Sequence, residues 1–312
     1  MRRSILAGLV PFVLAGCGSS EDDSAPLWLS TGGGDGASGG GSAVPSGGVG
    51  GGGPSTGATS GTTPSGGSSS GGVGGSQASP TGGAASGGGS SVPCNGPPLS
   101  GGTQHCTSNG QGVVGAYTWS IWSSGSGGCI TPHDVGAAFH ASWNNSGDFL
   151  ARVGLQWNET QTFDQLGILS ADFAYTKSGT GGGYSYIGIY GWSNDPLIEY
   201  YIVEDTFGSS PPNITWGDGV QTGTLDVDDG TYKIFTHTQV NQPSIHGTQT
   251  FPQFFSVRQT FRQCGHISIT EHFRKWDSLG MKLGKMYEAK ILVEAGGGVG
   301  TIDFSTASMT VE

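Results

Sequence analysis

Tyr190-Gly-Trp-Ser-Asn-Asp-Pro-Leu-Ile-Glu199-Tyr-Tyr-Ile-Val-Glu204 is the stretch that decides the fold. After Pro196 it is dominated by aromatic and β-branched residues, which is the composition of a β-strand. Side chains on a strand alternate between its two faces. Glu199, Tyr201 and Val203 therefore share one face, and Tyr200, Ile202 and Glu204 share the other. A carboxylate held among tyrosines in an apolar strand is costly to bury unless hydrogen bonds or charges offset the loss of water. Glu294 repeats the pattern: it closes the apolar run Lys290-Ile-Leu-Val293 and precedes Gly296-Gly-Gly298.

Working outward, short strands separated by turn signals continue along the chain. They are expected at 115–122, 136–143, 149–157, 183–192, 198–204, 223–227, 232–238, 254–261, 290–294 and 308–311. Asn145-Ser-Gly147, Lys177-Ser-Gly179 and Asp228-Asp-Gly230 read as hairpin or loop breakers. So many strands at this spacing predict an all-β sandwich or barrel. One helix interrupts them. Ser268-Ile-Thr-Glu271 has the form of a capping box, Phe273, Trp276 and Leu279 form an apolar stripe, and Gly280 stops the helix. This helix is expected to pack on the outside of the sheets.

The first third of the chain has a different character. Gly accounts for 61 of the 312 residues, and most of that excess lies before Cys94. Residues 1–16 have a basic start, a short apolar core and small residues at the end, which predicts an export signal. Leu14-Ala-Gly-Cys17 resembles a bacterial lipobox, which implies cleavage before Cys17 and its lipidation. The alternative is an ordinary secretory signal in which Cys17 is incidental. Residues 17–93 are Gly/Ser-rich and too poor in apolar side chains to offset their ordering entropy. They are expected to be a disordered tether reaching about 50 Å. Residues 94–312 form the expected folded domain, long enough to bury a sizeable core.

The net charge of −11 argues against nucleic acid or an anionic lipid surface as partner, so any membrane contact is expected only through the lipid anchor. The five cysteines show no zinc-site spacing. With Cys17 set aside, four remain for an exported chain. Cys94–Cys106 and Cys129–Cys264 are the expected pairs, although connectivity cannot be read from sequence.

Two carboxylates on two strands facing one cleft are the minimal equipment for cleaving a glycosidic bond. Here the chain resembles glycoside hydrolase family 11, the small jelly-roll xylanases. The resemblance rests on Pro196-Leu-Ile-Glu199-Tyr-Tyr201, Ser142-Trp-Asn-Asn-Ser-Gly-Asp148, Asn241-Gln-Pro-Ser-Ile245, Gly247-Thr-Gln-Thr-Phe-Pro-Gln253, Phe255-Ser-Val-Arg-Gln259, Trp276-Asp-Ser-Leu-Gly280 and Val293-Glu294. These motifs occur in the family's order across roughly residues 115–312. Arg152, Cys264-Gly-His-Ile267 and the 281–290 stretch look most like the branch from fibre-degrading rumen microbes.

The resemblance implies a β-jelly roll of two curved antiparallel sheets with one α-helix. It also implies retaining endo-hydrolysis of β-1,4-xylosidic linkages. Glu199 matches the nucleophile and Glu294 the acid/base. Asp148 matches the acid/base's pH-modulating partner, which implies an acidic optimum. Tyr190, Tyr201 and Trp122 match cleft residues that bind sugar, although a core position is the alternative for Trp122. Pro243 and Gln253 match substrate-contacting positions on and beside a thumb hairpin at 241–247.

Some positions depart from the family pattern. Gln239 stands for the usual thumb arginine, Gly296 for an aromatic and Phe255 for a tryptophan. Xylan and xylo-oligosaccharides are the implied partners, a monomer is expected, and no metal or organic cofactor is implied. A non-catalytic xylan-binding module is the alternative function, but such a module has no need of both glutamates. Because Gly18 rather than Asp follows Cys17, the lipoprotein is expected at the outer membrane or cell surface, with or without release.

Overall fold

The computed structural model describes residues 92–312 except 95, 126, 145 and 146. The signal, the Cys17 lipobox and all but the last two positions of the tether lie outside the described residues.

The larger sheet has nine strands. Their order is β1 (Asn109–Val114), β2 (Tyr117–Ser123), β5 (Phe149–Gln156), β13 (Lys285–Ala295), β7 (Ser185–Asn194), β8 (Ile198–Asp205), β11 (Gly247–Arg258), β10 (Gly230–Ser244) and β9 (Val220–Val227). The smaller sheet has five, in the order β12 (Cys264–Ile267), β6 (Leu169–Gly179), β14 (Val299–Val311), β4 (Phe139–Asn144) and β3 (Gly128–Pro132). The strand pairings are antiparallel except that of β8 with β11, which is parallel. The expected jelly-roll sandwich is what the chain forms.

Period-two alternation builds the core. Tyr200 and Ile202 of β8, Ile187 and Ile189 of β7 and Ile291 of β13 point toward the smaller sheet. There they meet Phe139, Phe173, Tyr175 and Phe304. Each such side chain contributes roughly 1.5–3 kcal/mol by leaving water. A second buried cluster lies on the opposite face of the larger sheet. It contains Trp122, Tyr186, Tyr190, Trp192, Tyr201, Phe251 and Phe255. Among the described residues no sheet covers that face, so its burial means that the larger sheet curls around its own outer surface.

All ten expected strands are present, several of them longer than expected. β1, β3, β6 and β12 are additional. β6 runs through Lys177-Ser-Gly179, which composition marks as a breaker. Its buried positions Leu169, Ala171, Phe173 and Tyr175 recur at every second residue, and pairing with β14 and β12 overrides its low strand propensity. The hairpin between β9 and β10 turns through Asp228 and Asp229, at φ 51° and 55°. Left-handed conformation at both central residues matches the twist of the flanking strands.

Helix α2 (Ile269–Ser278) follows Ser268 as expected, with Phe273 and Trp276 fully buried. It lies against the core-side face of the larger sheet. There Phe273 packs on Tyr200, and Trp276 Nε1 donates to Ser256 Oγ at 3.0 Å. Gly280, at φ 81°, ends it. The capping box does not form. Ser268 Oγ donates to Asp228 Oδ1 at 2.7 Å, and Glu271 pairs with Arg274 instead. Asp228 also accepts the Ser268 backbone N–H at 2.7 Å, the donor that Glu271 would have taken in a capping box. A reciprocal capping box does occur at the short helix α1 (Phe163–Leu166), between Thr162 and Gln165.

The disulfide expectation is corrected. Cys94 bonds Cys264, and Cys106 bonds Cys129. The entry segment runs along the smaller sheet rather than closing on itself. His105 and Ile130 exchange backbone hydrogen bonds of 2.8 and 2.9 Å, which sets Cys106 beside Cys129. Gly96 approaches Ser305 near the Ala174–Thr306 pair, and Ala174 is also the partner of Cys264.

Candidate active site

The pairing registers place the candidate residues on one face. Glu199 lies opposite Trp192 on one side and Gln253 on the other, and Tyr201 lies opposite Tyr190 and Phe255. On β13, Glu294 lies opposite Tyr186 and Leu150, and Leu150 lies opposite Trp122. The curled outer face therefore gathers Trp122, Glu294, Tyr186, Tyr190, Glu199, Tyr201 and Gln253 across six neighbouring strands.

Glu199 is 5% exposed. Its Oε1 accepts from the Tyr190 hydroxyl at 2.8 Å and from the Tyr201 hydroxyl at 3.2 Å. Its Oε2 accepts from the Gln253 amide. Burial pushes the Glu199 carboxyl above its ordinary range, while these three donors and the charge of Arg152 pull it back. Burial, followed by the Glu199 charge, drives Tyr190 and Tyr201 well above the ordinary phenol value, so both remain protonated donors. Trp192 Nε1 donates in turn to the Tyr190 hydroxyl, and the Phe255 ring stacks on Tyr201 at 4.8 Å.

Glu294 is fully buried, and Asp148 is 3% exposed. Asp148 immediately precedes β5, whose Phe149 and Leu150 pair with Ala295 and Glu294. Its backbone exchanges hydrogen bonds with Ser124, one through the Ser124 hydroxyl at 2.8 Å. Burial raises the Tyr186 phenol, and the charges of Glu294, Asp148 and Glu199 raise it further. Tyr201 responds to both Glu199 and Glu294. The two glutamates thus share Tyr186 and Tyr201, and Asp148 joins them at Tyr186. A third strand carboxylate, Glu204, is excluded from this group. It points to the opposite face, where Tyr232 and Arg262 hold it.

Trp122 belongs to the outer-face cluster rather than the core between the sheets. Pro243 sits in the β10–β11 hairpin opposite Thr248. Ser244 Oγ ties that hairpin by donating to the Gly247 carbonyl at 2.7 Å. Gln239 is buried near its base. At Gly296 a Cβ would come within 2.2 Å of the Tyr184 ring, so Tyr184 fills the space a side chain there would need.

The family model for glycosyl hydrolases family 11 matches residues 114–305. The chain belongs to glycosyl hydrolase family 11. Among its relatives, endo-1,4-beta-xylanase C of Fibrobacter succinogenes is 52% identical over 201 residues, covering 64% of this chain and 32% of that protein. Endo-1,4-beta-xylanase S20 of Neocallimastix patriciarum is 47% identical, covering 68% of this chain and 64% of that protein. This family member thus spans about a third of the first relative's length and just under two-thirds of the second's. The crystal structure of wild-type ENZbleach xylanase superposes with a TM-score of 0.65 at 44% identity, covering 69% of this chain and 90% of that one.

Sequence reasoning missed Tyr186 and the direct bond from Gln253 to Glu199. Tyr186 was legible, since Tyr186, Tyr190 and Trp192 recur at even spacing along β7. The Gln253 bond was not, because it depends on a parallel pairing between strands about fifty residues apart.

Proposed function

We propose that this chain is a retaining endo-β-1,4-xylanase acting by double displacement. The observation that carries the reading is the set of three donors converging on the carboxylate of Glu199, with Glu294 paired opposite Tyr186, whose ring packs 5.4 Å from that of Tyr201.

Glu199, ionised, attacks the anomeric carbon of a xylosyl unit, and the bond to the leaving oxygen breaks. Glu294 gives that oxygen its proton. Glu294 then takes a proton from water, whose oxygen attacks the same carbon and releases Glu199 from the glycosyl ester. Two inversions leave the product with the starting β configuration. Asp148 shares the titration of Glu294. Tyr190, Tyr201 and Gln253 hold the nucleophile and contact sugar, while Trp122 and Pro243 bind the xylan chain. The supporting relatives carry xylanase names over the matching region.

The test is a mechanism-based 2-fluoro-xylobioside. Peptide mass mapping should locate the trapped sugar on Glu199, and proton NMR should record β-xylose ends as the first product from xylohexaose. A label on another residue, or an α first product, overturns the assignment. The protein is further proposed to be a monomer exported as a lipoprotein to the outer membrane or cell surface. Labelled palmitate should attach in wild type and not in Cys17→Ser. Fractionation wholly to the inner membrane would refute the location.

A further inference from the structure

Beside the nucleophile lies a buried group of charges that the proposed chemistry does not use. On β13 the alternate residues Glu288, Lys290, Leu292 and Glu294 share the outer face, while Ala289, Ile291 and Val293 enter the core. Glu288 and Lys290 are each 2% exposed, and Arg152 of β5 is 3% exposed. Arg152 Nη2 lies 3.3 Å from Glu288 Oε1, and Lys290 Nζ lies 2.9 Å from Glu288 Oε2. The chain has only 12 lysines and arginines, and two of them are spent here.

Stability alone does not account for this arrangement. Desolvating each ion costs several kcal/mol, and well-packed apolar residues usually serve as well or better in such a place. The location supplies another reason. The Arg152 guanidinium lies 4.6 Å from the ring centroid of Tyr190, the phenol that donates to Glu199. Lys290 pairs directly opposite Tyr190, and Glu288 opposite Trp192, which also donates to Tyr190.

We propose that Arg152 is a positioning residue for the nucleophile: clamped by Glu288, which Lys290 clamps in turn, it braces the Tyr190 ring and sets one net positive charge behind Glu199. This rests on Glu199 being the nucleophile. A cation over the ring face fixes the ring by attraction to its π electrons, and the net charge of two cations and one anion favours the ionised carboxylate. The Arg152 charge does act on Glu199 in that direction. The other groups facing Glu199 are Tyr190 and Trp192 from β7, Tyr201 from β8 and Gln253 from β11. His237 of β10 stands opposite Gln253, while β13 contributes Glu288, Lys290 and Glu294. Among the cations here Arg152 is the permanent one; burial pulls Lys290 below its ordinary value, and the Glu288 charge opposes that shift. Burial pulls His237 below its ordinary value, toward neutrality.

The test compares Arg152→Met and Arg152→Lys with wild type on an aryl β-xylobioside. Glu288 keeps Lys290 as its partner in both variants, so neither leaves an unpaired buried charge. In Arg152→Met, kcat should fall about 10- to 100-fold with KM held within about twofold, as expected for a loss specific to the transition state. The acidic limb of kcat/KM should move up by roughly half a pH unit or more, because Glu199 becomes harder to ionise. Arg152→Lys should restore the limb more fully than kcat, since it keeps the charge but loses the flat guanidinium. A folded Arg152→Met with a wild-type limb and kcat, changed only in melting temperature, would overturn the proposal. So would an Arg152→Lys that is no better than Arg152→Met in either readout. Failure of the nucleophile assignment itself is separately visible, as full activity in Glu199→Gln.

Discussion

Gln253 lies directly opposite Glu199 in the parallel pairing of β11 with β8, and its amide donates to the carboxylate oxygen that the two tyrosines do not reach. Both oxygens are therefore engaged before substrate arrives. The carboxylate is held in one rotamer with its charge partly compensated, which preorganises it for attack on a single face of a sugar ring.

Removing that donor should cost activity without unfolding the protein. Hydrogen bonds to charged groups are worth about 1.5–3 kcal/mol, so Gln253→Ala should lower kcat/KM by roughly 10- to 100-fold. The acidic limb should also move to higher pH, because one of the donors favouring the ionised form is gone. Steady-state kinetics on xylohexaose across the acidic and neutral range checks both effects.

Glu199 should destabilise the fold it serves. Burial raises its carboxyl above the ordinary value of 4.5, so between 4.5 and the raised value the native state holds a proton that the unfolded chain has lost. Stability then falls as pH rises through that window and stays reduced above it. Glu199→Gln should therefore melt higher than wild type near neutral pH, by roughly 2–4 °C per kcal/mol relieved. The gain should shrink as pH drops below the ordinary carboxylate range. Calorimetry at acidic and neutral pH tests the sign.

Asp148 immediately precedes the β5 residues that pair with Ala295 and Glu294, a placement from which one coupled titration of the two carboxyls is expected. Asp148→Asn removes one member of the pair. The activity profile should shift toward neutral pH, with kcat at the new optimum within about tenfold of wild type. A pH profile that does not move would mean that the two groups titrate independently.

The two disulfides should differ in worth. Cys94–Cys264 spans 170 residues and Cys106–Cys129 spans 23. Loop-closure entropy then gives about 5 kcal/mol for the first and about 3 kcal/mol for the second. Paired Ser substitutions at Cys94 and Cys264 should lower the denaturant midpoint more than those at Cys106 and Cys129. Equal losses would show that the long bridge does not restrict the unfolded chain as the entropy model requires.

Sequence by itself determined the β architecture, the α2 helix and the family. These are properties of local pattern: alternation assigns each side chain to a face, and β8 reads directly as Glu199, Tyr201 and Val203 outward with Tyr200 and Ile202 inward. Tertiary structure alone decided what that pattern could not carry. The disulfide pairing depended on where the entry segment runs, and β6 became a strand only because its neighbours supplied the hydrogen bonds. The Gln253 bond to Glu199 and the place of Arg152 over Tyr190 were hidden for the same reason. Gln253 and Arg152 come from two other strands, and hydrogen bonds and charge act over a few ångströms of space, whatever the distance along the chain.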